Sequence, residues 1–157
     1  MVKNAPIIYD DLISPANHEI DIIIHQCNSF GVMGAGIAKQ IASKYPEVAE
    51  KEKDFCKNPK YAFGKNCIVN TNDGRVVINM HSQFRYGTKQ RQTNYDALRN
   101  CLQLLLRYYL PHQSQNAVIG LPYKIGCGLG GGDWETVNSI IQDFAVKAKQ
   151  PVFIVKK

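Results

Sequence analysis

Apolar residues in this chain form short unbroken runs that alternate with longer segments in which they recur every three or four positions. The runs "DIIIHQCN" (21–28), "NAVIGLP" (116–122) and "PVFIV" (151–155) are rich in β-branched residues, which is typical of strands buried on both faces of a sheet. The segments 93–110 and 134–148 have helical spacing. Strands therefore alternate with helices, as they do in α/β folds.

Further elements complete this prediction. The stretch "APIIYDDL" (5–12) begins apolar and ends acidic, which predicts a first strand. Two alternating runs in "KNCIVNTNDGRVVINMHS" (65–82) are joined at Asn72-Asp73-Gly74, a strong hairpin signal. Prolines bound the helices, which gives one helix from the glycine-rich stretch to about Tyr45 before Pro46, a second over 46–57, and an end to the 93–110 helix at Pro111. We expect a single α/β domain over residues 1–157, with helices on both faces of a mixed sheet.

Composition narrows the class of protein. A chain of 157 residues with 45 % hydrophobic and 20 % charged residues is ordinary for one globular domain. It has no apolar run of about 18 residues, and its first residues lack the apolar core of a secretory signal, so we expect neither a membrane span nor export. Five scattered cysteines without a C-x-x-C pattern argue against a disulfide framework or a zinc site and favour the cytoplasm. The net charge of +6 favours an anionic partner or, alternatively, only a solvated basic surface.

Two glycine-rich stretches carry the candidate chemistry: the first glycine loop (31–36) and the second glycine loop (126–132). Each follows a predicted buried strand and precedes a helix, so both are expected at the carboxyl edge of the sheet, where open α/β folds bind ligands. Glycine lets several backbone N–H groups turn toward one point, and helix N-termini favour anions, so the pair predicts a diphosphate site. Neither a dinucleotide fingerprint nor a Walker loop is present. The alternative is that these glycines only permit tight turns.

These residues also carry a family resemblance. The stretches 21–48 and 121–137, together with "YDDL" (9–12), resemble the macrodomain family. The branch that they resemble contains ADP-ribose-1″-phosphate phosphatases and terminal ADP-ribose-protein glycohydrolases. The resemblance implies a three-layer α-β-α sandwich with a mixed central sheet, which binds ADP-ribose or ADP-ribose-1″-phosphate and needs no cofactor or metal. ADP-ribosylated protein or nucleic acid are further implied partners, and we expect a monomer.

The resemblance also implies ligand contacts. Asp11, or Asp10 beside it, would accept a hydrogen bond from the adenine, with Leu12 under the ring; alternatively these acids only cap a turn. Asn28 would hold the distal ribose, unless it is an asparagine tolerated in a left-handed turn. The two loops would contact the ribose and the diphosphate through Met33, Gly34, Ala35, Gly36 and Ile37 and through Gly126, Cys127, Gly128, Leu129 and Gly130.

The catalytic groups are less determined. The glycohydrolase relatives have an aspartate at the place of Gly130 and a lysine after the strand that here reads "VVINMHSQ". We therefore expect a histidine mechanism, with His81 as general base or, alternatively, as a structural histidine. Asn28 would orient the ribose, and Asp133 is either the cap of the following helix or a catalytic carboxylate.

Two other side chains and one basic stretch complete the expectation. His25 lies in an apolar strand and is expected in the core. Cys127 lacks the arginine that a cysteine phosphatase places six positions further on, so a small buried thiol is expected. The basic stretch 84–92 is either a flap, in which Arg85, Lys89 or Arg91 meets a terminal phosphate, or a plain loop.

The prediction is therefore a hydrolase that removes a substituent from the distal ribose of ADP-ribose, most simply a phosphomonoester. The alternatives are removal of ADP-ribose from macromolecules, deacylation of O-acyl-ADP-ribose, and a reader without catalytic activity.

Overall fold

A six-stranded mixed sheet forms the centre of the molecule. The computed structural model describes residues 4–87 and 89–157. The strands follow the order β1-β6-β5-β2-β4-β3, and every neighbouring pair is parallel except the β3–β4 hairpin. The hairpin turns at Asn72–Gly74 as predicted, with Gly74 at a φ of 86°. The strand bounds are β1 (Ile7–Tyr9), β2 (Ile22–Gln26), β3 (Asn66–Asn70), β4 (Val76–Met80), β5 (Ile119–Pro122) and β6 (Val152–Lys156).

Five α-helices surround the sheet in the described residues: α1 (Gly36–Lys44), α2 (Pro46–Phe55), α3 (Pro59–Ala62), α4 (Tyr95–Leu104) and α5 (Trp134–Lys147). Helix α3 was not predicted, because four residues are too few to show a helical period; the Asn58 side chain caps it at the Tyr61 N–H. The predicted helix 93–110 is also corrected. Its α-helical part ends at Leu104, and a π-turn and a 3₁₀ turn carry the chain to His112, past the expected stop at Pro111.

The sheet separates two apolar layers, and the alternation along β2 shows how. Ile22 and Ile24 point toward the layer that includes α4 and α5, whereas Ile23 points toward the layer that includes α1 and α2. Successive side chains of a strand alternate between its faces, so an unbroken apolar run is what a strand between two helical layers requires. The three-layer α-β-α sandwich is confirmed. Among the described helices, none combines the length and apolar character needed to cross a membrane.

The strand order determines where the functional residues meet. Strand β2 lies between β5 and β4 and is parallel to both, so all three strands end at the same edge of the sheet. The first glycine loop follows β2, the second follows β5, and the basic stretch 84–92 follows β4. Three segments that are distant in sequence are thereby brought to one edge.

Candidate functional site

A cleft of about 480 Å³ lies at this edge of the sheet, between the two glycine loops. Gly34, Ala35, Gly36 and Ile37 line one side of it, and Gly126, Gly128, Leu129 and Gly130 line the other. The two loops therefore face one another across a single cavity, as their positions after parallel strands predict. Val32 of the first glycine loop and Ala38 of α1 add to the first side. The remaining lining comes from the ends of β2 and β5 and from the segment after β4, as His25, Gln26, Cys27, Asn28, Gln83, Tyr86, Gly87, Pro122, Tyr123, Lys124 and Ile125.

The Asn28 side chain shapes the first glycine loop. Its Oδ1 accepts hydrogen bonds from the backbone N–H groups of Phe30 (3.0 Å) and Val32 (3.3 Å), and its Nδ2 donates to the Val32 carbonyl (2.6 Å). Gly31 and Gly36 then take positive φ values of 75° and 58°, which glycine adopts without steric cost. Gly36 begins the nine-residue helix α1, so the unpaired N–H groups of that helix end lie beside the cleft. Contact of Asn28 with a ribose remains a prediction.

The second glycine loop is held by side chains that the sequence did not single out. Thr93 Oγ1 donates to the Gly126 carbonyl (2.6 Å) and accepts from Gln26 Nε2 (2.8 Å). The Gln26 amide also donates to Gln83 (2.7 Å), and its carbonyl oxygen accepts from Ser82 Oγ (2.7 Å). This amide–hydroxyl network joins the ends of β2 and β4 to the loop. In the sequence, this network is indicated by one feature, the polar Gln26 at the end of the apolar β2 run.

The loop backbone explains why glycine is needed at position 130. A Cβ there would lie 2.5 Å from Thr93 Oγ1, 2.8 Å from the Gly126 carbonyl oxygen and 2.9 Å from Gln26 Nε2. The Gly130 carbonyl itself accepts from the backbone N–H groups of Gln92 (2.8 Å) and Thr93 (3.0 Å). The Thr93 side chain therefore fills the volume that a side chain at position 130 would need.

The acidic pair at the end of β1 is used within its own turn. Asp10 accepts hydrogen bonds from the backbone N–H groups of Asp11, Ala16, Asn17 and His18 and from the His18 ring, and these bonds hold its pKa far below the usual range. Burial raises the pKa of Asp11, but hydrogen bonds from Ser14 and Ile13 and the Lys157 ammonium (3.2 Å) outweigh it, so the net shift is downward.

The described geometry therefore favours turn-capping for both acids, the alternative that the sequence left open. Neither Asp11 nor Leu12 lines the cleft, and Leu12 is buried in the core against Gly120.

Two residues of the glycine loops also point away from the cavity. Met33 packs on the core with its Sδ 3.8 Å from Asn79 Nδ2, and Cys127 directs its thiol to the Ile125 carbonyl (3.4 Å). The small buried thiol expected at Cys127 is only partly buried, although its partial burial raises the pKa of the thiol.

His81 does not lie in the cleft, and the proposed general base is corrected. The side chain has no exposed surface, its Nδ1 lies 2.7 Å from the Lys65 carbonyl oxygen, and its Nε2 lies 3.0 Å from both carboxylate oxygens of Glu52. A base must reach the proton that it removes, and both ring nitrogens of His81 are already occupied inside the protein. The sequence places His81 at a strand end and does not show that Glu52, 29 residues away, packs against it.

Asp133 is the N-cap of α5, and this placement corrects its candidacy as a catalytic residue. Its Oδ2 accepts from the Thr136 N–H (3.0 Å) and from the Thr136 hydroxyl (2.9 Å), and the residue does not line the cleft.

His25 is buried as expected, yet it also lines the cleft, where its Nε2 is hydrogen-bonded to Asn79 Oδ1. Burial lowers the pKa of His25 to about 4, so its ring is neutral near pH 7.

The basic stretch 84–92 forms part of the rim. Tyr86 and Gly87 line the cleft, and the Arg85 guanidinium lies 5.8 Å from the centre of the Phe30 ring and 5.4 Å from that of Phe84. Arg91 lies over the Tyr95 ring at 4.4 Å, and Lys89 is exposed. Thr88 falls outside the described residues, so closure of a flap over a terminal phosphate stays a prediction.

Comparison with known proteins decides the family. The family model described as Macro domain matches residues 24–141. The chain belongs to this family. Its matched region begins within β2 and reaches into α5, so it includes both glycine loops and the segment after β4.

Individual relatives carry informative names at modest identity. An ADP-ribose 1″-phosphate phosphatase of Lodderomyces elongisporus is 25 % identical over 126 residues, covering 76 % of this chain and 78 % of the relative. A DNA ADP-ribosyl glycohydrolase of Mycobacterium tuberculosis is 30 % identical over 123 residues, but the match covers only 33 % of that protein and 76 % of this one. A structure of a Bacteroides thetaiotaomicron protein of unknown function has a TM-score of 0.81 at 27 % identity, covering 96 % of this chain and 98 % of the other.

Proposed function

We propose that this macrodomain binds ADP-ribose in the cleft and hydrolyses a substituent from its distal ribose, with the 1″-phosphate as the first candidate. The observation that carries the proposal is the pair of opposed glycine loops, which line one cavity with backbone and with one helix N-terminus. Such a lining suits a diphosphate, because oriented N–H groups stabilise anionic oxygens without a charged side chain. The similarity to a protein named ADP-ribose 1″-phosphate phosphatase supports this choice of substituent.

Catalysis in this proposal depends on positioning. Neither His81 nor Asp133 faces the cleft, and His25, with a pKa of about 4, is a weak base. The amide–hydroxyl network of Gln26, Gln83 and Thr93 lies at the strand ends between the two loops. It would hold a water against the phosphorus of the 1″-phosphate. As the water oxygen bonds to phosphorus, the bond from phosphorus to the ribose oxygen breaks and a proton from the water passes to that oxygen, while the loop N–H groups stabilise the charge on the phosphoryl oxygens.

A second candidate is removal of ADP-ribose from nucleic acid. The similarity to a DNA ADP-ribosyl glycohydrolase favours it, and so does the rim formed by Phe30, Arg85 and Tyr86 beside Asn28. Aromatic and guanidinium planes are surfaces on which nucleobases stack. Against it, position 130 has no room for the aspartate that the glycohydrolase resemblance implies, because Thr93 fills that volume.

The test measures binding and turnover separately. Calorimetry with ADP-ribose should give saturable heat, whereas AMP should bind more weakly because it lacks the diphosphate bridge and the distal ribose. Parallel assays with ADP-ribose-1″-phosphate, ADP-ribosylated protein and ADP-ribosylated DNA then assign the reaction. Turnover of the polymers alone would reject the phosphatase, and tight binding without turnover of any substrate would make the protein a reader.

A matched pair of variants tests the cleft itself. Gly36 and Gly74 both have positive φ (58° and 86°), and a Cβ at either would meet no atom within 4 Å. Alanine therefore imposes a similar backbone cost at both positions, roughly 1 kcal/mol, but only Gly36 lines the cleft. Gly36→Ala should weaken ADP-ribose binding at least tenfold while Gly74→Ala leaves it unchanged. Equal affinities in the two variants would place the ligand elsewhere.

A further inference from the structure

Three side chains with metal-ligand chemistry converge beneath the first glycine loop. Glu52 lies on α2, Cys56 follows the end of that helix, and His81 follows β4. Their exposed fractions are 0 %, 5 % and 0 %. Within the described residues, these three form the group of histidine, cysteine and acidic side chains whose donor atoms lie close enough to share an ion, all within 4.8 Å of one another.

The hydrogen bonds around His81 require a proton or a metal cation between its Nε2 and Glu52. Its Nδ1 lies 2.7 Å from the Lys65 carbonyl oxygen, which only accepts, so Nδ1 carries a proton. In the neutral ring, Nε2 then presents a lone pair, and it faces two carboxylate oxygens of Glu52 at 3.0 Å each. Acceptors do not approach one another at that distance unless a proton or a metal cation lies between them.

The third group, Cys56, extends the pair to a set of three metal ligands. A shared proton would join Glu52 and His81, and the Cys56 thiol would then donate a hydrogen bond to Glu52. Cys56 Sγ also points to this nitrogen, at 3.5 Å. When tetrahedral zinc binds nitrogen at about 2.0 Å and sulfur at about 2.3 Å, the two ligand atoms are about 3.5 Å apart.

We propose that Glu52, Cys56 and His81 bind a divalent transition metal, with Zn²⁺ as the first candidate. Imidazole, thiolate and carboxylate are the ligands that zinc uses in proteins. The Lys65 carbonyl supplies the outer hydrogen bond that ligating histidines make through their second nitrogen. Binding releases the Cys56 thiol proton and the proton between Glu52 and His81 to solvent, so two anionic ligands neutralise the dication.

The location lets a bound metal support the cleft, and a water would complete the tetrahedral coordination that the three side chains begin. A Cβ at Gly31 would lie 3.4 Å from Cys56 Cβ and 3.5 Å from the Glu52 carbonyl oxygen, so the first glycine loop begins directly on the cluster. Two residues after His81, the Gln83 carbonyl accepts from Ser29 Oγ (2.8 Å). A bound metal would therefore link α2 to the end of β4 and fix the position at which the first glycine loop begins.

The test uses the whole chain, purified after growth in zinc-supplemented medium. Elemental analysis should find about one zinc per chain, and Co²⁺ exchanged into the chelated protein should give a thiolate-to-metal charge-transfer band. Cys56→Ser and His81→Gln should lose the bound metal and the band, whereas Cys127→Ser, which changes a thiol in the second glycine loop, should keep both. Chelation should lower the thermal midpoint of the wild type and not that of Cys56→Ser.

The wild-type protein alone is sufficient to overturn the proposal, so failure of a variant to fold does not protect it. If the folded wild type contains no metal and gains no Co²⁺ band, the charge between Glu52 and His81 is a proton. Nuclear magnetic resonance would then show both ring nitrogens of His81 protonated at neutral pH, or a protonated Glu52 beside a neutral ring. If Cys56→Ser and His81→Gln retain the metal, these side chains are not its ligands.

Discussion

The substitution Gly130→Ala tests how closely the second glycine loop is packed. The added methyl group would lie 2.5 Å from Thr93 Oγ1 and 2.8 Å from the Gly126 carbonyl oxygen. Thr93 can leave only by giving up its hydrogen bonds to Gly126 (2.6 Å) and from Gln26 (2.8 Å). Overpacking costs about 1–3 kcal/mol, and each hydrogen bond lost adds about 0.5–1.5 kcal/mol. We expect a loss of roughly 2–4 kcal/mol, below the full sum of about 2–6 kcal/mol, because breaking those hydrogen bonds relieves part of the clash.

Urea unfolding measures this loss directly. Trp134 is the single tryptophan of the chain and begins α5, four residues after the substituted position, so its fluorescence reports on this region. In a chain of this size, each kcal/mol lowers the thermal midpoint by about 2–4 °C, so the midpoint should fall by roughly 5–15 °C. The control is Gly128→Ala in the same loop, where a Cβ meets no atom within 4 Å; its stability should change by less than about 0.5 kcal/mol. Equal unfolding midpoints in the two variants would refute the packing argument.

Other predictions concern the frame of the cleft. Arg75 donates hydrogen bonds to three carbonyl oxygens of the segment 12–20. Arg75→Ala should therefore lower the free energy of unfolding by about 2–3 kcal/mol. The control, Arg99→Ala at an exposed position, should change it by under about 0.5 kcal/mol. Burial lowers the pKa of His25 from its ordinary value of 6.5 to about 4 in the folded protein, so stability should fall as pH drops from 6.5 toward 4. His25→Gln should flatten that slope in pH-dependent denaturation, and the exposed His112→Gln should not. Asp133→Asn keeps a capping oxygen, so stability and turnover should both persist; loss of turnover alone would restore Asp133 as a catalytic residue.

The sequence predicted the structure correctly where a local pattern of residues determines the surroundings of a segment. The β-branched run at 21–28 predicts a strand with apolar layers on both faces, and β2 has them. The glycine loops follow strands that end at one edge of the sheet, so their shared cleft follows from topology alone. These features need no knowledge of particular side-chain partners.

The catalytic prediction failed because it depended on a partner distant in sequence. His81 follows a strand end and therefore looked accessible, but Glu52 meets it from α2. The charged residues of "PEVAEKEKDF" suggest a helix exposed to solvent. However, Glu52 and Cys56 follow the buried Val48 at intervals of four residues, so they lie on the same inward face of α2. That spacing was the available signal. The Gln26 network was missed for a related reason, since its partners come from three segments.

The position of β1 in the sheet has a consequence for biosynthesis. Among the described strands, β1 pairs with β6 alone, in a register that joins Ile7 to Ile154 and Tyr9 to Lys156. Strand β1 is synthesised before the other five strands of this sheet, so it has no neighbour until β6 is made. A nascent chain stalled before residue 150 should keep this segment open to protease while the inner strands are already protected.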